Sequence, residues 1–165
     1  MYPHHESLQE CSMDRTLLRE HVETFFASPA FAVIGVSANR KKFGNVVYRS
    51  MKERGLTVFP VHPSLTTVEG DACYRAVRDL PDNVKSVITV VQPAVTEQVV
   101  EECADKGIRS VWMQQGSQSD SAISAATSHG MSVVPDECVM MYLEPVKSVH
   151  AFHRWVTRLV GKYAA

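Results

Sequence analysis

The hydrophobic positions fall into short, nearly unbroken apolar runs, separated by segments in which apolar residues recur at helical spacing. The runs at 31–36, 56–61, 86–91, 110–113 and 131–134 predict strands of a sheet covered on both faces, where no solvent side imposes alternation. Leu17, Leu18, Val22, Phe25 and Phe26 predict a helix over 14–27, opened by Asp14 as a cap and stopped by Pro29. Further helices are predicted over 45–54, 94–106, 119–129 and 145–163. The first has Val46, Val47 and Met51 inward; the last carries Val149, Phe152, Val156 and Leu159 on one face. Gly55, Gly107 and Gly130 stand where C-terminal caps belong. Residues 64–71 read as a polar loop and 73–80 as a short helix or turn. Residues 1–13 have no hydrophobic period and read as a loose lead-in. Strands alternating with helices in this rhythm imply an α/β fold: a Rossmann-like, doubly wound parallel sheet with right-handed crossovers. We expect one domain, 14–165, with flanking N- and C-terminal helices.

Ligands of such sheets bind beyond the carboxyl ends of the strands. The segments placed there are 35–43, 60–64, 91–94 and 114–117. The first is the most informative. An apolar strand turns on Gly35, becomes small and polar through Val36, Ser37, Ala38 and Asn39, gathers Arg40, Lys41 and Lys42, and enters a helix near Gly44 or Asn45. A strand, a small-residue turn and a helix N-terminus make a phosphate cradle, because unpaired N–H groups and the helix dipole both favour an anion. The implied ligand is a phosphorylated, nucleotide-like molecule. A nicotinamide or flavin site wants Gly-x-Gly-x-x-Gly and an acid after the second strand. Here only Gly35 and Gly44 are present, and that strand runs out in Val61-His62-Pro63.

Composition narrows the partners. Seventeen Lys and Arg against eighteen Asp and Glu give a formal net charge of −1, which argues against a nucleic-acid or membrane surface as the main partner. No apolar run approaches the roughly 20 residues that span a bilayer, and the first residues do not read as a secretory signal. The four cysteines, Cys11, Cys73, Cys103 and Cys138, form no CxxC pair and read as reduced thiols of a cytoplasmic protein.

Five short motifs then carry a resemblance: Gly35-Val-Ser-Ala-Asn39, Pro60-Val-His-Pro63, Val91-Gln-Pro93, Trp112-Met-Gln-Gln-Gly116 and Val133-Val-Pro-Asp-Glu-Cys138. In order and spacing the chain resembles the CoA-binding-domain proteins, stand-alone relatives of the N-terminal domain of the succinyl-CoA synthetase α subunit, over roughly 30–143. The resemblance implies that coenzyme A or an acyl-CoA is the small-molecule partner. It implies that Gly35 to Arg40 (Gly35, Val36, Ser37, Ala38, Asn39 and Arg40) wrap the phosphates, with a hydroxyl from Ser37. Lys41 and Lys42 are the implied partners of the 3′-phosphate. Val61, His62 and Pro63 would line the adenosine side; Val91, Gln92 and Pro93, with Met113, Gln114, Gln115 and Gly116, would follow the pantetheine arm. His62 stands where the family commonly has Asn, and Gln92 where it often has Arg. The phosphohistidine domain of the larger synthetase is not expected here, so the implied role is a binding or regulatory module without catalysis of its own.

Other readings stay beside this one. The alternative is an enzyme acting on a CoA thioester, or one using NAD(P); a base or nucleophile near the pantetheine tip would favour it, and only Cys138 and His62 offer themselves. An interaction protein with a vestigial cleft would bind no nucleotide. His150 and His153, one helical turn apart, lack a third metal ligand of suitable spacing. Asp136 and Glu137 are adjacent and point apart; Trp112 reads as core. No catalytic residue and no metal site is assigned.

Overall fold

The computed structural model describes residues 6–143. Helix α1 (Glu6–Phe26) leads into strand β1 (Ala30–Ile34), helix α2 (Phe43–Lys52) and strand β2 (Val58–Val61). Two short strands follow, β3 (Thr67–Val68) and β4 (Asp71–Ala72), then a single 3-10 turn at Val77–Asp79. Strand β5 (Val84–Thr89), helix α3 (Pro93–Lys106), strand β6 (Ser110–Met113), helix α4 (Asp120–Ser128) and strand β7 (Ser132–Pro135) complete the sequence, with a 3-10 turn at Val139–Met141.

The main sheet has five strands in the order β2-β1-β5-β6-β7, and every pairing in it is parallel. The doubly wound α/β expectation is therefore correct. Side chains on successive positions of β1 divide between two cores. Phe31 and Val33 join the core under α1 and α2, which also holds Trp112 and Val134. Ala30, Ala32 and Ile34 join the core under α3 and α4, with Val111 and Met113. Both faces of β1 are thus apolar, which is why the run reads as continuous. Phe25, Phe26, Tyr142 and Trp112 stack edge to face, and the Trp112 Nε1–H donates to the Glu137 carbonyl at 2.7 Å, so the indole is core as expected.

Several elements differ from expectation. Helix α1 begins at Glu6, ahead of Asp14 and inside the stretch read as a loose lead-in. Val22 and Phe25 of its stripe are buried, whereas Leu17 is exposed. The polar loop 64–71 contains the strands of a hairpin, β3 and β4, paired antiparallel with Val68 opposite Asp71. Its two turn residues, Glu69 and Gly70, have φ of 52° and 88°. A two-residue turn with both φ positive is the type that matches the twist of a hairpin. The short helix or turn expected over 73–80 is a 3-10 turn confined to Val77–Asp79. The C-terminal helix expected over 145–163, with His150 and His153, lies outside the described residues.

The strand order positions the site. The chain leaves β1 through α2 to β2 on one side, then crosses to β5 on the other side of β1. The reversal opens a crevice at the carboxyl ends of β1 and β5, where ligands of open parallel sheets bind.

Candidate functional site

Two glycines shape the floor of this crevice. Gly35 leaves β1 with φ of 109°, and a Cβ there would overlap the Val90 carbonyl at the end of β5. Gly44, in the first turn of α2, packs so closely that a Cβ would overlap the Gly35 carbonyl. Strand end, loop and helix start are therefore in backbone contact, and only glycine permits it.

The loop between them is tied from inside. Asn45 is fully buried; its Oδ1 accepts from the Ser37 amide at 2.8 Å, while its Nδ2 donates to the Ser37 carbonyl at 2.9 Å and to Glu69 Oε1 at 3.0 Å. Ser37 Oγ accepts from the Asn39 amide, leaving its own O–H to give elsewhere, and Asn39 Oδ1 accepts from the Lys41 amide. At the start of α2 the amides of Asn45 and Val46 turn back to the Lys42 carbonyl, and no side chain caps the helix. The first amides of the helix, those of Phe43 and Gly44, have no partner among the described residues. The helix begins at Phe43, ahead of the expected start near Gly44 or Asn45.

The hairpin closes over the outer side of this loop. Glu69, at its tip, is ion-paired with Arg40 at 2.8 Å and Arg49 at 2.7 Å, and Arg49 also donates to the Arg40 carbonyl at 2.9 Å. The Glu69 carboxyl is held below the usual carboxylate range, chiefly by its hydrogen bond from Asn45 and then by the two arginines. Behind it, Asp71 is lowered by Lys52 and by the Tyr48 hydroxyl, which donates at 2.7 Å. Burial and Asp71 push the Tyr48 phenol well above its ordinary value, so it remains a donor.

These lowered carboxyls fix the sign of a pH effect. A carboxyl whose folded value lies below its unfolded one contributes stability that is complete above the unfolded value, roughly pH 4, and is lost as pH falls through the folded value. Thermal melting is accordingly expected to fall below about pH 4, and Glu69→Gln combined with Asp71→Asn is expected to flatten that acid limb. An unchanged slope in the double variant would show that the hairpin pairs do not set it.

The crevice itself is a cleft of about 560 Å³, within the usual range for small-molecule sites. Its lining comes from the β1 exit (Ile34 to Ser37) and Lys42, from Val61, His62 and Pro63 at the β2 exit, and from 75–77. Val90 and Val91 after β5 and one face of α3 complete it. That face is Val95, Gln98, Val99 and Glu102, at the three- and four-residue spacing that puts side chains on one side of a helix. Valine is the commonest residue of the walls, seven of seventeen. Glu102 Oε2 accepts from the Val77 amide at 3.2 Å, which pins the 3-10 turn to α3. His62 Nδ1 accepts from the Ser64 and Leu65 amides at 3.2 and 3.3 Å, so its proton sits on Nε2.

The structure brings together Gly35, Val36, Ser37, Lys42, Val61, His62, Pro63 and Val91 of the residues singled out from sequence. Ala38 and Arg40 instead line a neighbouring depression beneath the hairpin, with Arg40 engaged by Glu69. Asn39 and Lys41 are exposed on the loop and do not line the cleft. Gln92 is the exposed N-cap of α3 and Pro93 its first residue. Met113 has no exposed surface, and Gln114 is buried with its Oε1 accepting from the Val139 amide at 3.1 Å. Gln115 and Gly116 lie on an exposed turn away from the lining. The sequence reading missed Arg75, Gln98 and Glu102. The spacing of 95, 98, 99 and 102, on the helix after the strand that flanks the crevice, was the available signal.

Of the other residues weighed, Cys138 is buried in the core under α1 and α2 and does not line the cleft. Cys103 is fully buried, and burial pushes its thiol up; the partly exposed Cys73 thiol is raised for the same reason. Glu137 is raised by burial and accepts from the Tyr142 hydroxyl at 3.1 Å. Asp136 accepts from Gln118 at 2.8 Å, so the pair has structural partners. Among the described residues no group of His, Cys, Asp and Glu is arranged to hold a metal, and no helix is long and apolar enough to cross a membrane.

A parallel sheet with its cleft at the reversal of strand order, floored by a glycine turn and a helix N-terminus, defines a Rossmann-like ligand-binding domain. Within that class the chain belongs to the CoA binding domain family, whose model matches residues 29–144. It is 30% identical over 129 residues to the α subunit of the ADP-forming acetate–CoA ligase II of Pyrococcus furiosus, an alignment covering 72% of this chain and 28% of that protein. The chain thus spans under a third of that relative's length. Among solved structures, a hypothetical protein from Pyrococcus horikoshii matches with a TM-score of 0.70 and 30% identity, covering 80% of this chain and 91% of that one. An acetyl-coenzyme A synthetase of Ca. Korarchaeum cryptofilum, solved with phosphate and ADP, matches with a TM-score of 0.56 and 26% identity over 64% of this chain and 25% of that one. The kinship to CoA-binding portions of larger synthetases, expected from the motifs, is correct.

Proposed function

We propose that the cleft binds coenzyme A or an acyl-CoA, and that the domain serves as a binding or regulatory module without catalysis of its own. One observation carries the choice of ligand within a family of CoA-binding domains. The valine-lined cleft ends at a helix start with unpaired amides beside Lys42, while no acid stands at the β2 exit to hold free ribose hydroxyls. An apolar groove closed by an anion-binding helix start suits a long, flexible ligand whose charge sits on phosphates. In this reading Gly35, Val36 and Ser37 meet the pyrophosphate with the Phe43 and Gly44 amides, and Lys42 adds the charge. Val61, His62 and Pro63 face the adenosine, and Val91 with the α3 face takes the apolar stretch. The scattered, unpaired cysteines Cys73, Cys103 and Cys138 suit a reducing, cytoplasmic setting.

Isothermal titration with CoA, dephospho-CoA, NAD and NADPH tests the reading. Saturable binding of CoA ahead of both nicotinamide cofactors is the expected result. Lys42→Ala is expected to weaken CoA about tenfold, as loss of one charge-assisted hydrogen bond does. Preference for NAD or NADPH would move the domain to an oxidoreductase, and no binding by any of the four would overturn the proposal.

A further inference from the structure

The cationic loop Arg40-Lys41-Lys42 does not deliver its charge to the cleft as a block. Arg40 is neutralised by Glu69, Lys41 is off the lining, and only Lys42 reaches it. A second cation reaches the cleft from elsewhere: Arg75, exposed and in no ion pair among the described residues. Its position follows from the hydrogen bonds of its neighbour. Tyr74 runs parallel to the end of β2, its amide donating to the Pro60 carbonyl at 2.9 Å and its carbonyl accepting from the His62 amide at 2.9 Å. Arg75 therefore stands beside the β2 exit, held there by backbone pairing. In doubly wound sheets this exit is where the adenosine ribose lies. An acid there takes free ribose hydroxyls, and an arginine takes a ribose phosphate. This chain has Val61-His62-Pro63 and no acid, and the cleft's one carboxylate, Glu102, accepts from the Val77 amide on α3's side.

We propose that Arg75 is the ribose-phosphate partner of the cleft and sets its preference for a ligand phosphorylated on the adenosine ribose. Lys42, at the helix start, serves the pyrophosphate instead, and Lys41 contributes to neither. This rests on the nucleotide-binding reading above but assigns the selectivity to a residue outside the glycine loop. Arg75 is solvent-exposed, so its replacement leaves the fold intact.

The test is titration of wild type, Arg75→Gln and Lys41→Ala with CoA, dephospho-CoA and NADP, with thermal melting as the fold control. Arg75→Gln is expected to weaken CoA by about 10- to 100-fold, the range for a charge-assisted hydrogen bond, and to leave dephospho-CoA within about twofold. Lys41→Ala is expected to change neither. Wild type that binds CoA, with Arg75→Gln losing both ligands equally or neither, overturns the assignment while the CoA reading stands. Wild type that ignores CoA but binds NADP in an Arg75-dependent way keeps the ribose-phosphate role and overturns the CoA reading. Wild type that binds none of the three overturns both.

Discussion

Gly44→Ala is expected to destabilise the domain by about 3 kcal/mol or more, at or beyond the upper end of what overpacking usually costs. The new Cβ meets the carbonyl of Gly35, and neither partner is a side chain that can swing away. Gly35 is itself fixed, because β1 is hydrogen-bonded on both sides and the Ile34 carbonyl accepts from Val90 at 2.7 Å. Gly35→Ala adds a second cost, since φ of 109° is foreign to a residue with a Cβ. Against a typical stability of about 5–15 kcal/mol, either change removes a large fraction. Denaturant unfolding of the two variants measures this directly. The same substitution at Gly55, where a Cβ meets nothing within 4 Å, is the control for positive φ without overlap. If Gly44→Ala unfolds like wild type, the loop and helix are not in the close contact described.

Asn45→Asp is the second large effect. The amide nitrogen of Asn45 donates to two acceptors, the Ser37 carbonyl and the Glu69 carboxylate. A carboxylate in its place faces both with lone pairs and brings a like charge against Glu69 in a fully buried position. Removing the donor and adding the repulsion is expected to cost about 3–5 kcal/mol at neutral pH, the range for an uncompensated buried charge. Asn45→Ala leaves the Ser37 amide and carbonyl unpaired and is expected to cost about 2–3 kcal/mol. The order of the two variants is the diagnostic. If alanine is the worse, packing rather than donor geometry holds the loop. Raising the pH from 5 to 8 is expected to leave the alanine variant unchanged.

The parallel sheet was legible because its inner strands are buried on both faces and therefore read as solid apolar runs. The strand expected over 110–113 has those ends, and the others agree within two residues. The glycine turn was legible for the same reason, standing at the abrupt end of such a run. The hairpin was not. Thr67-Val68 and Asp71-Ala72 are too short to show a period, and the turn between them uses Glu-Gly, where the common signal is Asn-Gly or Asp-Gly. Missing the hairpin meant missing Glu69, and so reading Arg40 as a free loop cation. Arg75 was invisible from its own sequence context. It comes to the cleft through the pairing of Tyr74 with β2, and no local pattern announces that contact. Met113 and Gln114 show the converse error. They lie at a strand exit, where ligand contacts are expected, yet this strand sits away from the reversal and its exit is packed under the turn at Val139–Met141.

The close approach of the Gly35 backbone to Val90 has a consequence for how the chain is made. Val90, which confines the backbone of the glycine turn, directly follows β5 and emerges from the ribosome only after α2, β2 and the hairpin. A nascent chain that has completed the hairpin already carries Ser37, Lys42 and His62, yet the wall formed by Val90 and Val91 is still missing. Ligand added at that stage finds half a groove. Binding is therefore expected to begin as a late, all-at-once event during synthesis, once β5 has slotted in beside β1 and α3 has packed against it.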